Sequence, residues 1–113
     1  MKRDIEIELN LPGLHFWKDA GQFEEVEYLQ HPHRHIFCFQ LAFYVTHGDR
    51  DLEFIITRNA VEEYLRENYW SDQYKLLNFK GMSCEMIAED LKEAFDASKV
   101  RVGEDKEFFG GIK

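Results

Sequence analysis

Apolar and polar residues alternate without interruption over the first strand-length of the chain: Ile5, Ile7, Leu9 and Leu11 fall between Asp4, Glu6, Glu8 and Asn10. This is the two-residue period of a β-strand with one buried face. His15 and Trp17 share the parity of the apolar set, so a strand that ran on would turn them inward, although Pro12-Gly13 predicts a bend or bulge before them. Residues 18–31 are polar and aperiodic and read as a connecting segment. From His33 to Thr46 the chain is apolar almost throughout. Phe37, Phe39, Leu41, Phe43 and Val45 stand on one parity and Ile36, Cys38, Ala42 and Tyr44 on the other, the pattern of a long strand covered on both faces. The turn cluster Thr46-His47-Gly48-Asp49-Arg50-Asp51 follows, and Leu52-Glu53-Phe54-Ile55-Ile56-Thr57 then predicts a hairpin partner.

The period changes in the second half. Asn59 predicts the cap of a helix running to about Tyr69, with Val61, Tyr64, Leu65 and Asn68 as its buried stripe. Ser83 predicts the cap of a second helix running to about Ala97. Met82 and Ile87 are placed as a hydrophobic staple, and Ile87, Leu91, Ala94 and Phe95 form the stripe. Val100-Arg101-Val102 reads as a short strand, and Phe108-Phe109 opens another after the acidic turn Glu104-Asp105-Lys106-Glu107. The predicted order β-β-β-α-α-β-β defines one α+β domain over residues 1–113, an antiparallel sheet with two helices packed on one face.

Composition narrows the function classes. Of 113 residues 44% are hydrophobic and 15% aromatic, enough for an ordinary core. A net charge of −8, from 14 basic and 22 acidic residues, argues against nucleic-acid binding, which needs a basic patch to displace phosphate counterions, and against an anionic membrane surface. The stretch Met1-Lys2-Arg3-Asp4-Ile5-Glu6 lacks the apolar core of a signal peptide, and no later run approaches a membrane span, so the expectation is a soluble, cytoplasmic protein. Cys38 and Cys84 are unpatterned and suggest neither a disulfide framework nor a cysteine metal site.

The candidate chemistry is histidine. His31-Pro32-His33-Arg34-His35 places three of the five histidines at the mouth of the long strand. On a regular strand His33 and His35 point the same way, about 6.6 Å apart. With His15 as a third donor they make a set for one zinc ion, three imidazoles leaving a fourth position open. The same spacing also suits a plain pair of hydrogen-bonded, partly exposed histidines. His31 and His47 fall in connecting segments and are not favoured as ligands.

The order of elements, the histidine closing the first strand, the His-x-His opening the second, Ser83-Cys84-Glu85 at the second helix and the run Val100-Arg101-Val102-Gly103-Glu104 together resemble the 6-pyruvoyl tetrahydropterin synthase and 6-carboxytetrahydropterin synthase family. The resemblance covers about Ile5 to Phe109. It implies the tunnelling fold, with sheets joined edge to edge into an oligomeric barrel, a trimer or hexamer of the chain. It implies zinc on His15, His33 and His35. Glu104 corresponds to the family's pterin anchor, and Ser83 and Glu85 to its motif at the second helix. A carboxylate at Glu104 suits a pterin, whose ring N–H and exocyclic amine lie side by side, and suits a guanine edge equally well.

The chain also departs from the family. No cysteine precedes His33 in Glu27-Tyr28-Leu29-Gln30, and residues 66–82 contain no histidine to form the Asp-His pair that activates it. Residues 70–80 are brief for the family's active-site excursion. Cys38 faces away from His33 and His35 on a regular strand and reads as core. Glu27 and His31 are the candidate replacement bases, with Asp19 beside them. Two functional readings follow: a zinc protein that binds a pterin-like or purine-like heterocycle with lyase or isomerase chemistry, and a non-catalytic binder or sequestering protein for a pterin or nucleotide on the same fold. A third has the histidines holding metal only to stabilise an oligomer interface.

Overall fold

In the computed structural model, which describes residues 1–113, the first strand runs straight through the predicted bend. Strand β1 spans Arg3–His15 and pairs antiparallel with β2, His33–Val45, from Arg3 opposite Val45 to His15 opposite His33 with no residue skipped. Pro12 is tolerated because its partner Ile36 turns its backbone groups the other way. The Ile36 N–H donates to Asp105 Oδ1 at 2.9 Å, and its carbonyl accepts from the Asp105 N–H at 2.9 Å. On its far side β1 has a strand partner only at Gly13 and Leu14, so the missing Pro12 N–H leaves no ladder bond unmade. Gly13 is required for close approach: a Cβ there would meet the Phe37 ring at 2.9 Å and the Phe79 ring at 3.1 Å.

The remaining elements are α1 (Phe54–Tyr69), β3 (Trp70–Ser71), β4 (Leu76–Asn78), α2 (Cys84–Phe95), β5 (Lys99–Glu104) and β6 (Phe108–Ile112), with two short 3-10 helices, Lys18–Gln22 and Glu24–Gln30, in the connecting segment. They form an open six-stranded sheet of order β3-β4-β1-β2-β5-β6, antiparallel except where β1 meets β4. The class is α+β, as the pattern predicts. The chain order is β-β-α-β-β-α-β-β, which differs from the expectation at two places.

Leu52–Thr57 is not a strand. β2 has β1 along one edge and β5 along the other, so no edge is left for a hairpin partner, and tertiary pairing overrides the β-propensity of Phe-Ile-Ile-Thr. Glu53, not Asn59, caps α1: its carboxylate accepts from the Ile55 N–H at 2.9 Å and the Ile56 N–H at 3.3 Å. The early start leaves Phe54, Ile55 and Ile56 60%, 65% and 70% exposed. The second difference is the pair β3 and β4, each too short to leave a period in the sequence.

The core lies between one face of the sheet and the two helices. Ile7, Leu9, Leu11, Phe37, Phe39, Leu41, Val100 and Val102 meet Val61 and Leu65 of α1 and Ile87, Ala88 and Leu91 of α2, each fully buried Leu or Phe contributing about 1.5–3 kcal/mol. Asn68 and Ala94 are exposed rather than in the buried stripes. Helix α2 is capped by Ser83, whose Oγ accepts from the Met86 N–H, and Met82 packs on the core as the staple predicts. It ends at Phe95, short of Ala97, because Asp96 adopts a left-handed conformation with φ of 51°.

The opposite face of the sheet is bare, contrary to the expectation of two covered faces. Cys38 and Ala42 are buried there, but Glu6, Glu8, Gln40, Lys99 and Arg101 line an open groove. Hydrogen bonds from Asn10 and Gln40, and then from Lys106, hold Glu8 down at a pKa of about 2. No helix is long and apolar enough to cross a membrane.

Candidate metal centre

The three predicted ligands converge because the β1/β2 register is unbroken. A one-residue bulge at Pro12-Gly13 would have sent His15 to the opposite face. Instead His15, the last residue of β1, stands directly opposite His33, the first of β2, and His35 stands opposite Gly13 on the same helix-facing side. One ring nitrogen from each lies within 4.8 Å of the others, close enough to hold a metal ion. His15 is buried, and His33 and His35 are partly so.

Hydrogen bonds assign the protons. His15 Nδ1 lies 3.0 Å from the Met82 carbonyl, His33 Nδ1 2.9 Å from the His31 carbonyl and His35 Nδ1 2.7 Å from Asp105 Oδ2. Carbonyls and carboxylates only accept, so each Nδ1 carries the hydrogen and each neutral ring presents its lone pair at Nε2. Anchoring one ring nitrogen on a carbonyl or carboxylate while the other is left free is the arrangement found around metal-ligating histidines. His35 Nε2 is buried with no hydrogen-bond partner.

Glu104, the last residue of β5, is paired opposite Phe37 and so enters the same space. It is not an exposed turn residue: its side chain is only 25% exposed. Its Oε1 lies 3.1 Å from His15 Nε2, and its Oε2 lies 3.5 Å from His35 Nε2 without forming a hydrogen bond. Carboxylate oxygens therefore face imidazole lone pairs. Only a cation reconciles them, either a proton on a ring or a metal ion shared by the set. The imidazoles fit a metal by donor type and by the orphaned His35 nitrogen. In the protonated alternative, the Glu104 hydrogen bond and the Met82 carbonyl outweigh burial and raise the pKa of His15, and His15 with His35 in turn holds Glu104 low. Burial and the neighbouring imidazoles lower His33.

Asp105 was not legible from sequence. It follows β5 in a turn where Asp105 and Lys106 both take positive φ, 54° and 60°, and the Glu107 N–H closes on the Glu104 carbonyl at 2.9 Å. That conformation folds the Asp105 carboxylate back onto β2, where it takes both the His35 Nδ1–H and the Ile36 N–H. The left-handed turn thereby aims a carboxylate at the outer nitrogen of a candidate metal ligand, and no local motif announces it.

A cavity of about 540 Å³ adjoins the cluster, lined by His15, His33, Glu104, Ser83, Cys84 and Glu85, with Trp17, Met82 and Phe109 among its apolar walls. Ser83 is thus at the site, but its Oγ is engaged in capping α2. Glu85 lies over Gly110, where an added Cβ would collide with its Oε1, so the glycine makes room for the carboxylate. Cys84, unpatterned with Cys38 in the sequence, also faces the site. Its thiol points at Glu104 Oε1 across 3.7 Å, and burial, with the Glu104 and Glu85 charges, pushes its pKa up to about 12, so it stays protonated. Glu27, His31 and Asp19 are exposed and do not line the cavity; His31 contributes only its carbonyl, to His33. No protein-family model matches the chain, and no curated protein matches it.

Proposed function

We propose that the chain is a zinc-binding protein of the pterin synthase type that holds a pterin-like or purine-like heterocycle in the cavity beside its metal, as a binder rather than a turnover enzyme. The observation that carries the reading is the convergence of three imidazoles, each with its Nδ1 tied to an acceptor. Imidazole and carboxylate donors suit zinc. When bound, zinc supplies Lewis acidity toward an oxygen of the ligand. The protein supplies the rest. Trp17 and Phe108, the latter paired opposite Glu104, give apolar surface to a flat ring, and the carboxylates lining the cavity, Glu85 and Glu104, are acceptors for the N–H groups at its edge.

The binder reading follows from the acid–base inventory. Proton abstraction needs a base within reach of the ligand. Cys84 is held protonated, and neither Glu27 nor His31 reaches the cavity. The lyase or isomerase reading rests on Glu85 alone. Titration of the zinc-loaded chain with pterin and with guanosine triphosphate, followed by calorimetry, should show saturable binding of at least one, together with negligible turnover of dihydroneopterin triphosphate. Binding of neither ligand contradicts the proposal, and robust turnover restores the enzyme.

The tunnelling-fold assembly belongs to the same proposal, in the cytoplasm. β1 has no strand neighbour on one side before Gly13, and β6 is an open edge of the sheet, so edges remain for copies of the chain to join. Light scattering should report a trimer or hexamer, and a stable monomer at micromolar concentration contradicts it.

A further inference from the structure

We infer that Glu104 is the fourth protein ligand of this metal, so that the centre is a set of three imidazoles and one carboxylate, to which an oxygen of the heterocycle adds only as a fifth donor, and the heterocycle's ring donors fall to Glu85. The assignment rests on the metal binding proposed above and redirects the residue that the resemblance would make the ring anchor.

Three observations carry it. First, Glu104 stands at ligand spacing from two of the three imidazoles, whose own ring nitrogens lie within 4.8 Å of one another. Donor atoms on a tetrahedral zinc with bonds of roughly 2.0–2.1 Å stand about 3.3–3.4 Å apart, and the Glu104 oxygens lie 3.1 Å from His15 Nε2 and 3.5 Å from His35 Nε2. Second, the orientation is that of a ligand. Each carboxylate oxygen is turned to a different imidazole nitrogen, and the remaining contact, the Cys84 thiol on Oε1 at 3.7 Å, approaches from α2 and steadies that orientation. A carboxylate receiving ring N–H and amine donors side by side must present both oxygens to the ligand together. Third, the backbone holds Glu104 there. It is the last residue of β5, paired opposite Phe37, and its carbonyl closes the strained turn that sends Asp105 to His35. One turn thus delivers a carboxylate to each nitrogen of the same imidazole. With Glu104 engaged, Glu85 is the other carboxylate lining the cavity.

The test compares the wild type with Glu104→Gln, Glu85→Gln and Glu107→Gln, the last removing an equal charge from the same turn outside the cavity. Zinc affinity is measured by chelator competition, and the absorption of the cobalt-loaded proteins reports the ligand set. Glu104→Gln should weaken zinc by about 100-fold or more, beyond the usual effect of a residue that only supports a ligand, and should change the cobalt spectrum. Glu107→Gln should do neither, and Glu85→Gln should weaken the pterin or guanine nucleotide while leaving zinc in place. Unchanged zinc affinity and cobalt spectrum in Glu104→Gln overturn the assignment while leaving the metal site standing; a wild type that binds no zinc overturns both. Should Glu104→Gln not fold, proton NMR of the cobalt-loaded wild type decides, because the side-chain protons of a ligating glutamate are contact-shifted and those of a free one are not.

Discussion

Two carboxylates in this molecule are surrounded by polar neighbours, and they are surrounded differently. Asp90 on α2 meets two tyrosines from α1: Tyr64 donates its hydroxyl at 2.9 Å and 3.0 Å, and Tyr69 donates to Oδ2. Donors face acceptors and the cluster is complete. Burial, reinforced by Asp90, pushes Tyr64 up to about 12 and raises Tyr69 as well, so the hydroxyls keep the protons they donate. Glu104 meets imidazole nitrogens whose hydrogens are already committed elsewhere. Acceptors face acceptors, and the cluster is complete only with a cation in it. A satisfied network ties elements together, whereas an unsatisfied one of this composition is a candidate site.

The contrast can be broken most forcefully at the histidines. His33→Ala or His35→Ala should abolish most zinc binding, a loss of more than about 100-fold by chelator competition, with the far-ultraviolet circular dichroism of the sheet retained. Asp90→Ala should do the reverse. It leaves two hydroxyl donors without their acceptor, lowering stability by roughly 1–3 kcal/mol in urea unfolding, while zinc affinity stays at the wild-type value. If Asp90→Ala also released the metal, the two clusters would not be independent. A smaller effect is expected from Asp105→Asn, which weakens the orientation of His35 without removing a ligand: about 10–100-fold in zinc affinity and little in stability.

The smallest effect concerns pH at the tyrosine cluster. A raised folded-state pKa stabilises below the unfolded value and is lost as pH climbs through the folded one. The Tyr64 contribution is therefore constant up to about pH 10, the ordinary tyrosine value, and disappears between there and about 12. Tyr64→Phe should make the fall over that range shallower, Tyr69 still contributing to it, and an identical slope in the variant would mean that the Tyr64 clamp is not formed in solution.

What could be read from the sequence divides along the same physical line. β1, β2 and α2 are legible because each carries its own period and, for α2, its own cap at Ser83. The histidine triad is legible because strand parity alone puts His15 with His33 and His35, provided Pro12 does not break the register. Phe54–Thr57 misleads because its fate depends on β5 having taken the second edge of β2, a pairing between strands roughly sixty residues apart in the chain. Asp105 is invisible for a related reason: it reaches His35 only through the β2/β5 pairing and two left-handed residues. The resemblance singled out Glu104 as an acceptor for a ligand, whereas its contacts with His15 and His35 emerge only from three strands laid side by side.

The central claim is that the acceptors around Glu104 are completed by a metal ion. It is tested most directly by elemental analysis of the chain purified without chelator and then given zinc and desalted, with thermal unfolding recorded before and after. The account predicts about one zinc per chain and a rise in stability of ~2.7 kcal/mol when free zinc is a hundredfold above its dissociation constant. A chain that remains free of metal after exposure to zinc, with an unfolding temperature that does not move, contradicts it.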